Sequence, residues 1–154
     1  MIDANVLAYA LNGAAPQHAA SQAFIDATLH PSNALYVTSQ ILCEFYSIIT
    51  NPKRFPKVCS AVQAAEIISE LLLLPGLHVL PAPSEVVVGW VQLLERHPVT
   101  GGDVFDLQIV ATMLANGIRR IYTFNVDDFE VFSELVVVHP NTLPVGQPRP
   151  SIGW

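Results

Sequence analysis

The residues of this chain best suited to chemistry are its carboxylates: Asp3, Glu44, Asp103, Asp106 and the pair Asp127-Asp128. Asp3 stands between Ile2 and an apolar stretch containing Val6 and Leu7. Glu44 sits inside Ile41-Leu42-Cys43-Glu44-Phe45-Tyr46, with apolar neighbours on both sides. A glutamate in such surroundings is seldom buried unless it is paired or holds a metal. Asp103 and Asp106 follow Gly101-Gly102, and Asp127-Asp128 come just after Thr123-Phe124-Asn125. Carboxylates gathered in one place repel, and persist only if their pKa values rise or a cation neutralises them. Oxygen donors without His or Cys favour a hard ion, Mg²⁺ or Mn²⁺. An ion so held is suited to activating water and stabilising the charge of in-line phosphodiester cleavage.

Each acid also has a plainer reading. Asp103 is well placed as a helix N-cap, the reading preferred for it, with Asp106 at the third helical position. For Asp106 alone, cap and ligand weigh equally. Asp127 and Asp128 suit a turn, as does Asp3 after a strand. Glu44 could pair with a cation. The chain has only 7 basic residues, none close on the same helix face, which weakens that reading. Taken together, four acids at four element ends favour a metal site.

The elements that must position these groups alternate. Met1–Asp3, Leu35–Thr38, Leu77–Leu80, Arg120–Thr123 and Val136–Val138 read as short strands. Between them lie helical stretches. The first is Val6–Leu11. The second opens at Pro16, with Ala19, Ala20, Ala23, Phe24 and Ala27 on one face. Ser39–Thr50, a helix from a Ser60…Gln63 capping box to Leu74, Ser84–Arg96 and Asp103–Asn116 follow. In the helix over 84–96, Val87, Trp90, Val91 and Leu94 are expected to face inward. Gly117 stands in the expected C-terminal position of the helix before it. Such alternation predicts an α/β fold of three layers, a central parallel sheet flanked by helices. Ligands of such sheets bind outside the carboxyl ends of the strands, where Asp3, Asp106 and Asp127 or Asp128 can converge and Glu44 can project inward.

Length and composition set outer limits. With 154 residues the chain suits one domain and one core. We expect it to span residues 1–140, followed by a proline-containing tail over 141–154. At 51% hydrophobic and 13% charged the chain is not intrinsically disordered. A formal net charge of -6 excludes a histone-like electrostatic grip on nucleic acid, though not a local site. Two cysteines cannot form a disulfide framework, and Cys43 reads as a small core residue. The opening residues lack a signal-peptide pattern, and no apolar run approaches a membrane span. The expectation is a cytoplasmic protein without membrane association.

At the level of motifs the chain resembles the PIN-domain ribonucleases, and among them the VapC-like toxins of toxin–antitoxin pairs. Ile2-Asp3-Ala4-Asn5-Val6-Leu7 is similar to the family's D-x-N-V-L opening, and Glu44 is followed by Asn51-Pro52. Val104-Phe105-Asp106-Leu107-Gln108-Ile109-Val110-Ala111-Thr112-Met113-Leu114 is similar to V-x-D-x-x-x-A-A-T-x-L. Thr123-Phe124-Asn125-Val126-Asp127-Asp128-Phe129 is similar to T-x-N-x-x-D-F. The resemblance covers about residues 1–140. It implies a PIN fold and Mg²⁺-dependent endoribonuclease activity, with Mn²⁺ as an alternative ion. It implies an acidic site of Asp3, Glu44, Asp106 and Asp128, with Asp3 and Asp106 as direct metal ligands. Asn5, Thr123 and Asn125 would orient the acids by hydrogen bonds. It also implies an RNA substrate, a homodimer and a small cognate antitoxin. Asp128 is chosen over Asp127 because it directly precedes Phe129. Val110 replaces the first alanine of A-A-T, a harmless swap, and the first strand is expected to be a stub.

The only basic cluster is Lys53, Arg54 and Lys57, which could contact phosphates while Phe55 stacks on a base. The favoured alternative is a solvated loop with Phe55 anchoring it to the core. His18, His30, His78, His97 and His139 lack ligand spacing. Two other functions compete. A non-catalytic RNA- or protein-binding module on the same fold is disfavoured by the presence of all four acids. A phosphohydrolase with an aspartyl nucleophile would want Asp-x-Asp, and here the second position is Asn5.

Overall fold

The computed structural model describes residues 1–142; most of the expected tail, residues 143–154, lies outside them. Strands β1 (Leu35–Thr38) and β2 (Leu77–Leu80) pair in parallel, as do β3 (Arg120–Tyr122) and β4 (Val136–Val138). The opening residues join the two pairs. Ile2 bridges Tyr122 in parallel, Asp3 N–H donates to the Tyr122 carbonyl at 3.0 Å, and Ile2 N–H donates to the Tyr36 carbonyl at 2.8 Å. The sheet therefore runs β2, β1, Met1–Asp3, β3, β4. Chain order reverses direction at the opening segment, which puts a topological switch point at its carboxyl end. Asp3 lies at that point.

The helices fall into two groups. α1 (Ala4–Leu11) packs on α2 (His18–Thr28) and α3 (Ser39–Ile49), and α3 packs on α4 (Ala61–Leu72). α5 (Glu85–Arg96) packs on α6 (Val104–Ala115). Right-handed crossovers put the first group on one face of the sheet and the second on the other. Ile2, Ile41, Phe45, Ile49, Leu107 and Ile121 are fully buried between these layers. α6 is buried from Ile109 through Met113 without a break, so it is apolar all round rather than amphipathic. α4 opens on the expected capping box, the Ser60 hydroxyl accepting from Gln63 N–H and the Gln63 side chain from Ser60 N–H. Gly117 ends α6 with φ +70°, in the left-handed region that glycine adopts at no steric cost.

Several expectations need correction. α1 starts at Ala4, two residues before Val6, because Asp3 caps it. α2 turns Ser21, Phe24 and Ile25 inward and leaves Ala19 and Ala27 exposed; a run of alanines suits either side of a helix, and the two large side chains decide. α5 buries Val86 and Leu93 and exposes Val87 and Val91, while Trp90 and Leu94 pack against the core as expected. Cys43 is exposed rather than in the core. Asp103 is no side-chain cap; it closes a 3₁₀ turn over Gly101–Asp103. A five-residue helix, α7 (Val126–Glu130), stands where a turn was expected, too short to show a period.

Candidate active site

Asp3 is the most constrained of the acids. It is buried, at 6% exposure, and its backbone is the last of the opening strand. Its Oδ1 accepts from Ala4 N–H at 2.6 Å. Its Oδ2 accepts from the Asn5 amide at 2.7 Å and from the Thr123 hydroxyl at 2.6 Å. The Thr123 hydroxyl in turn accepts from the Asn5 amide and from Asn125 N–H. Phe124 N–H donates to Asn5 Oδ1 at 3.3 Å. The loop after β3 is thereby stitched to the first turn of α1 around one carboxylate. Asn5 and Thr123 hold Asp3 with their side chains. Asn125 enters only through its backbone N–H; its exposed side chain makes no hydrogen bond among the described residues.

The other acids surround this point. Asp106 lies in the first turn of α6, half-buried, and Asp128 in the first turn of α7. Burial pushes the Asp3 carboxyl up to about 6, against the pull of the Thr123 hydroxyl, and nearby Glu44 and Asp128 raise it further. Burial also pushes Asp106 up to about 7, reinforced in turn by Asp128, Asp3, Glu44 and Asp103. Glu44 and Asp128 thus bear on both Asp3 and Asp106, and the groups involved come from four elements. Asp128, and not Asp127, is the member of its pair that acts on both Asp3 and Asp106. Asp103 joins as a further negative neighbour of Asp106.

As the side chains stand, no three His, Cys, Asp or Glu groups among the described residues are close enough to hold one ion jointly. Unneutralised carboxylates stay apart for the reason that they attract a cation. The donor set is oxygen throughout. Asp3 retains lone pairs beyond its three hydrogen bonds, and negative neighbours surround Asp106. Such a set fits a hard divalent ion.

Two groups at the rim depart from expectation. Arg54, in the loop after α3, brings its guanidinium to 3.9 Å from Glu44, both side chains half-exposed. Glu44 therefore has a cation nearby that helix spacing could not reveal, since the loop folds back from ten residues on. The loop is shaped by Asn51, whose side chain accepts from Lys53 N–H and whose carbonyl accepts from Arg54 and Phe55 N–H. Phe55 is buried and cannot stack on a base, while Lys53, Arg54 and Lys57 are exposed. Gln40, not singled out in the sequence, donates its amide to the Phe105 carbonyl at 2.7 Å. It lies one turn before Glu44 and so ties α3 to α6; its i−4 spacing from Glu44 was the available signal.

The fold recurs in solved structures. VapC20 of Mycobacterium tuberculosis, a sarcin–ricin loop cleaving toxin, aligns with TM-score 0.63 at 18% identity, covering 87% of this chain and 96% of that one. VapBC2 from Rickettsia felis, bound to a DNA fragment from its promoter, aligns with TM-score 0.59 at 17% identity, covering 90% and 96%. VapBC-1 from nontypeable Haemophilus influenzae gives 0.63 at 16%, covering 91% and 96%. At such identities the likeness is one of fold. No curated protein matches the chain. The PIN domain family model matches residues 1–135. With most of its length so matched, and its acids gathered at the carboxyl end of the expected parallel sheet, the chain belongs to the PIN domain family.

Proposed function

We infer that this protein is a divalent-metal-dependent endoribonuclease and the toxin of a toxin–antitoxin pair. The observation that carries this reading is the elevation of Asp3 and Asp106 by burial, to which the negative neighbours Glu44 and Asp128 add, at the switch point of the sheet. A structural cap would not collect like charges from four elements. Mg²⁺, with Mn²⁺ as an alternative, would be held by Asp3 and Asp106, with Glu44 and Asp128 completing the shell. When bound, the ion would supply Lewis acidity toward the phosphoryl oxygens and a template that orients the attacking water.

The chain's own residues do the rest. Ala4 N–H, Asn5 and Thr123 hold the Asp3 carboxylate in one orientation, so it need not reorganise when a cation arrives. Asn5 is a donor to Asp3, which suits a held ligand and not the second acid of an aspartyl phosphotransfer pair. Glu44 and Asp128, more exposed than Asp3, would complete the shell or orient the attacking water. Lys53, Arg54 and Lys57 offer phosphate contacts at the rim. The sarcin–ricin loop cleaving toxin among the structural neighbours supports an RNA target. Exposed Val62, Leu72 and Leu73, together with Val87, Val88 and Val91, offer apolar surface to a second copy or to a small antitoxin. Among the described residues no helix is long and apolar enough to cross a membrane.

The test is cleavage of a mixed RNA pool by purified protein with and without Mg²⁺ or Mn²⁺, beside Asp106→Asn. Cleavage should require metal and fall at least about 100-fold in the variant, whose fold should persist. Activity surviving in Asp106→Asn would remove the role assigned to it. No cleavage, and no thermal stabilisation by millimolar metal, would put a non-catalytic binding module ahead.

A further inference from the structure

Phe105 is the one aromatic side chain among the large hydrophobic residues exposed on the described surface, at 58% exposure. The other exposed members are Val or Leu. Phe24, Phe45, Phe55, Phe129 and Phe132 are all buried, and Phe124 is half-buried. Leaving one phenyl ring largely in water, while the rest of its kind are packed away, forgoes a favourable burial. The position is also specific. Phe105 immediately precedes Asp106 in the first turn of α6, and its carbonyl accepts from Gln40. Gln40 stands one helical turn, about 6 Å along the axis, from Glu44 on α3. The ring thus rises from a support clamped to both acid-bearing helices. The Arg54 guanidinium lies 3.9 Å from Glu44 on the same α3 side.

We propose that Phe105 is a stacking platform for an unpaired base next to the scissile phosphodiester. The proposal rests on the nuclease reading of the adjoining acids. An exposed ring on a rigid first turn can accept the face of any base, because every base has a π-face. A base inside a duplex is already stacked and cannot reach it, so the ring selects extruded or looped nucleotides. The preference is for strand state rather than base identity, since no hydrogen-bonding edge is read. Arg54 is the nearby cation suited to the neighbouring phosphate, its bond to Glu44 being long and half-exposed. Gln40 positions the platform through the Phe105 carbonyl and does not touch substrate.

The experiment compares wild type, Phe105→Ala and Phe105→Trp on a single-stranded oligoribonucleotide and its blunt duplex in Mg²⁺. Phe105→Ala should raise KM for the single strand about tenfold with kcat and melting temperature unchanged, and Phe105→Trp should restore KM. A second arm titrates the single strand into Phe105→Trp/Asp106→Asn. Tryptophan emission should be quenched beyond that of Asp106→Asn alone, and the duplex should not quench it. If wild type cleaves and Phe105→Ala has an unchanged KM, the platform is overturned while the nuclease stands, and the ring's exposure belongs to a protein contact. If wild type cleaves no RNA, the nuclease reading falls. Quenching would then keep the stacking site, and its absence would overturn that as well.

Discussion

At the residue scale, Asp3 shows how one carboxylate is made fit for chemistry and kept from harming the fold. It caps α1, ends the central strand and accepts three hydrogen bonds. Thr123 is the key donor, since its hydroxyl meets Asp3 Oδ2 while collecting N–H groups from two other residues. Replacing it with valine keeps the shape and deletes the donor. Thr123→Val should cost about 1–3 kcal/mol, because a buried charged acceptor and the donors of Asn5 and Asn125 lose a partner. It should also raise the metal concentration needed for half-maximal cleavage. Urea denaturation and a metal titration check the two parts; unchanged metal demand would reduce Thr123 to a packing residue. Of these contacts, the motif made Asp3, Asn5 and Thr123 legible as a group. That Asn125 acts through its backbone alone was not legible, because residue type does not say which atom bonds.

At the element scale, the site depends on loops that bring helix starts to the strand ends. Gly76, in the turn before β2, has φ +85° and sits so close to the preceding loop that a Cβ would lie 2.5 Å from the His30 carbonyl oxygen. Backbone oxygen cannot swing away as a side chain can. Gly76→Ala should therefore destabilise by more than about 1 kcal/mol, through both the left-handed backbone and the clash. Gly89, inside α5, has nothing within 4 Å of its would-be Cβ, so Gly89→Ala should stabilise by about 0.5–1 kcal/mol. Paired urea melts would read the opposite signs, and equal signs would contradict the packing described here. Strand positions were legible because β-rich runs stood between turn residues. Helix faces were less so. α5 has apolar residues around most of its circumference, and only its packing on α6 decides that Val86 and Leu93 go in while Val87 and Val91 stay out.

At the scale of the whole molecule, electrostatic stress within the acidic site couples stability to pH and metal. Asp3 and Asp106 carry folded pKa values of about 6 and about 7 against an ordinary value of 3.8. The folded protein holds protons there that the unfolded chain has released, so this contribution falls as pH rises from about 4 through 7. Asp3, being buried, carries more of it than the half-exposed Asp106, whose shift solvent screens. Burial lowers the Met1 amino group to about 5, which adds stability as pH rises over the same window. The acids' share is therefore read as the extra melting temperature the metal-free wild type loses from pH 5 to pH 8 relative to Asp106→Asn, at about 2–4 °C per kcal/mol for a chain of this length. Millimolar Mg²⁺ should raise the pH 8 value and flatten the profile, because an ion bound only by the folded state relieves the repulsion. Calorimetry of both proteins in chelator and in Mg²⁺ tests this, and identical chelator profiles for wild type and Asp106→Asn would contradict the crowding of the four acids.

The sequence by itself determined the alternation of strand and helix, the caps at Ser60 and Gly117, and which acids stand at element ends. Those features are local: they follow from backbone sterics, capping chemistry and the period of apolar residues within a few turns of chain. Only the tertiary structure decided that Met1–Asp3 lies between β1 and β3, that Asn125 meets Thr123 through its backbone N–H, and that Arg54 folds back on Glu44. It also decided that Phe55 is buried and Phe105 left in water. Two phenylalanines have the same preference for leaving water, and which one achieves it depends on what surface the rest of the chain brings opposite. That surface comes from residues tens of positions away, a distance over which local sequence carries no directional information.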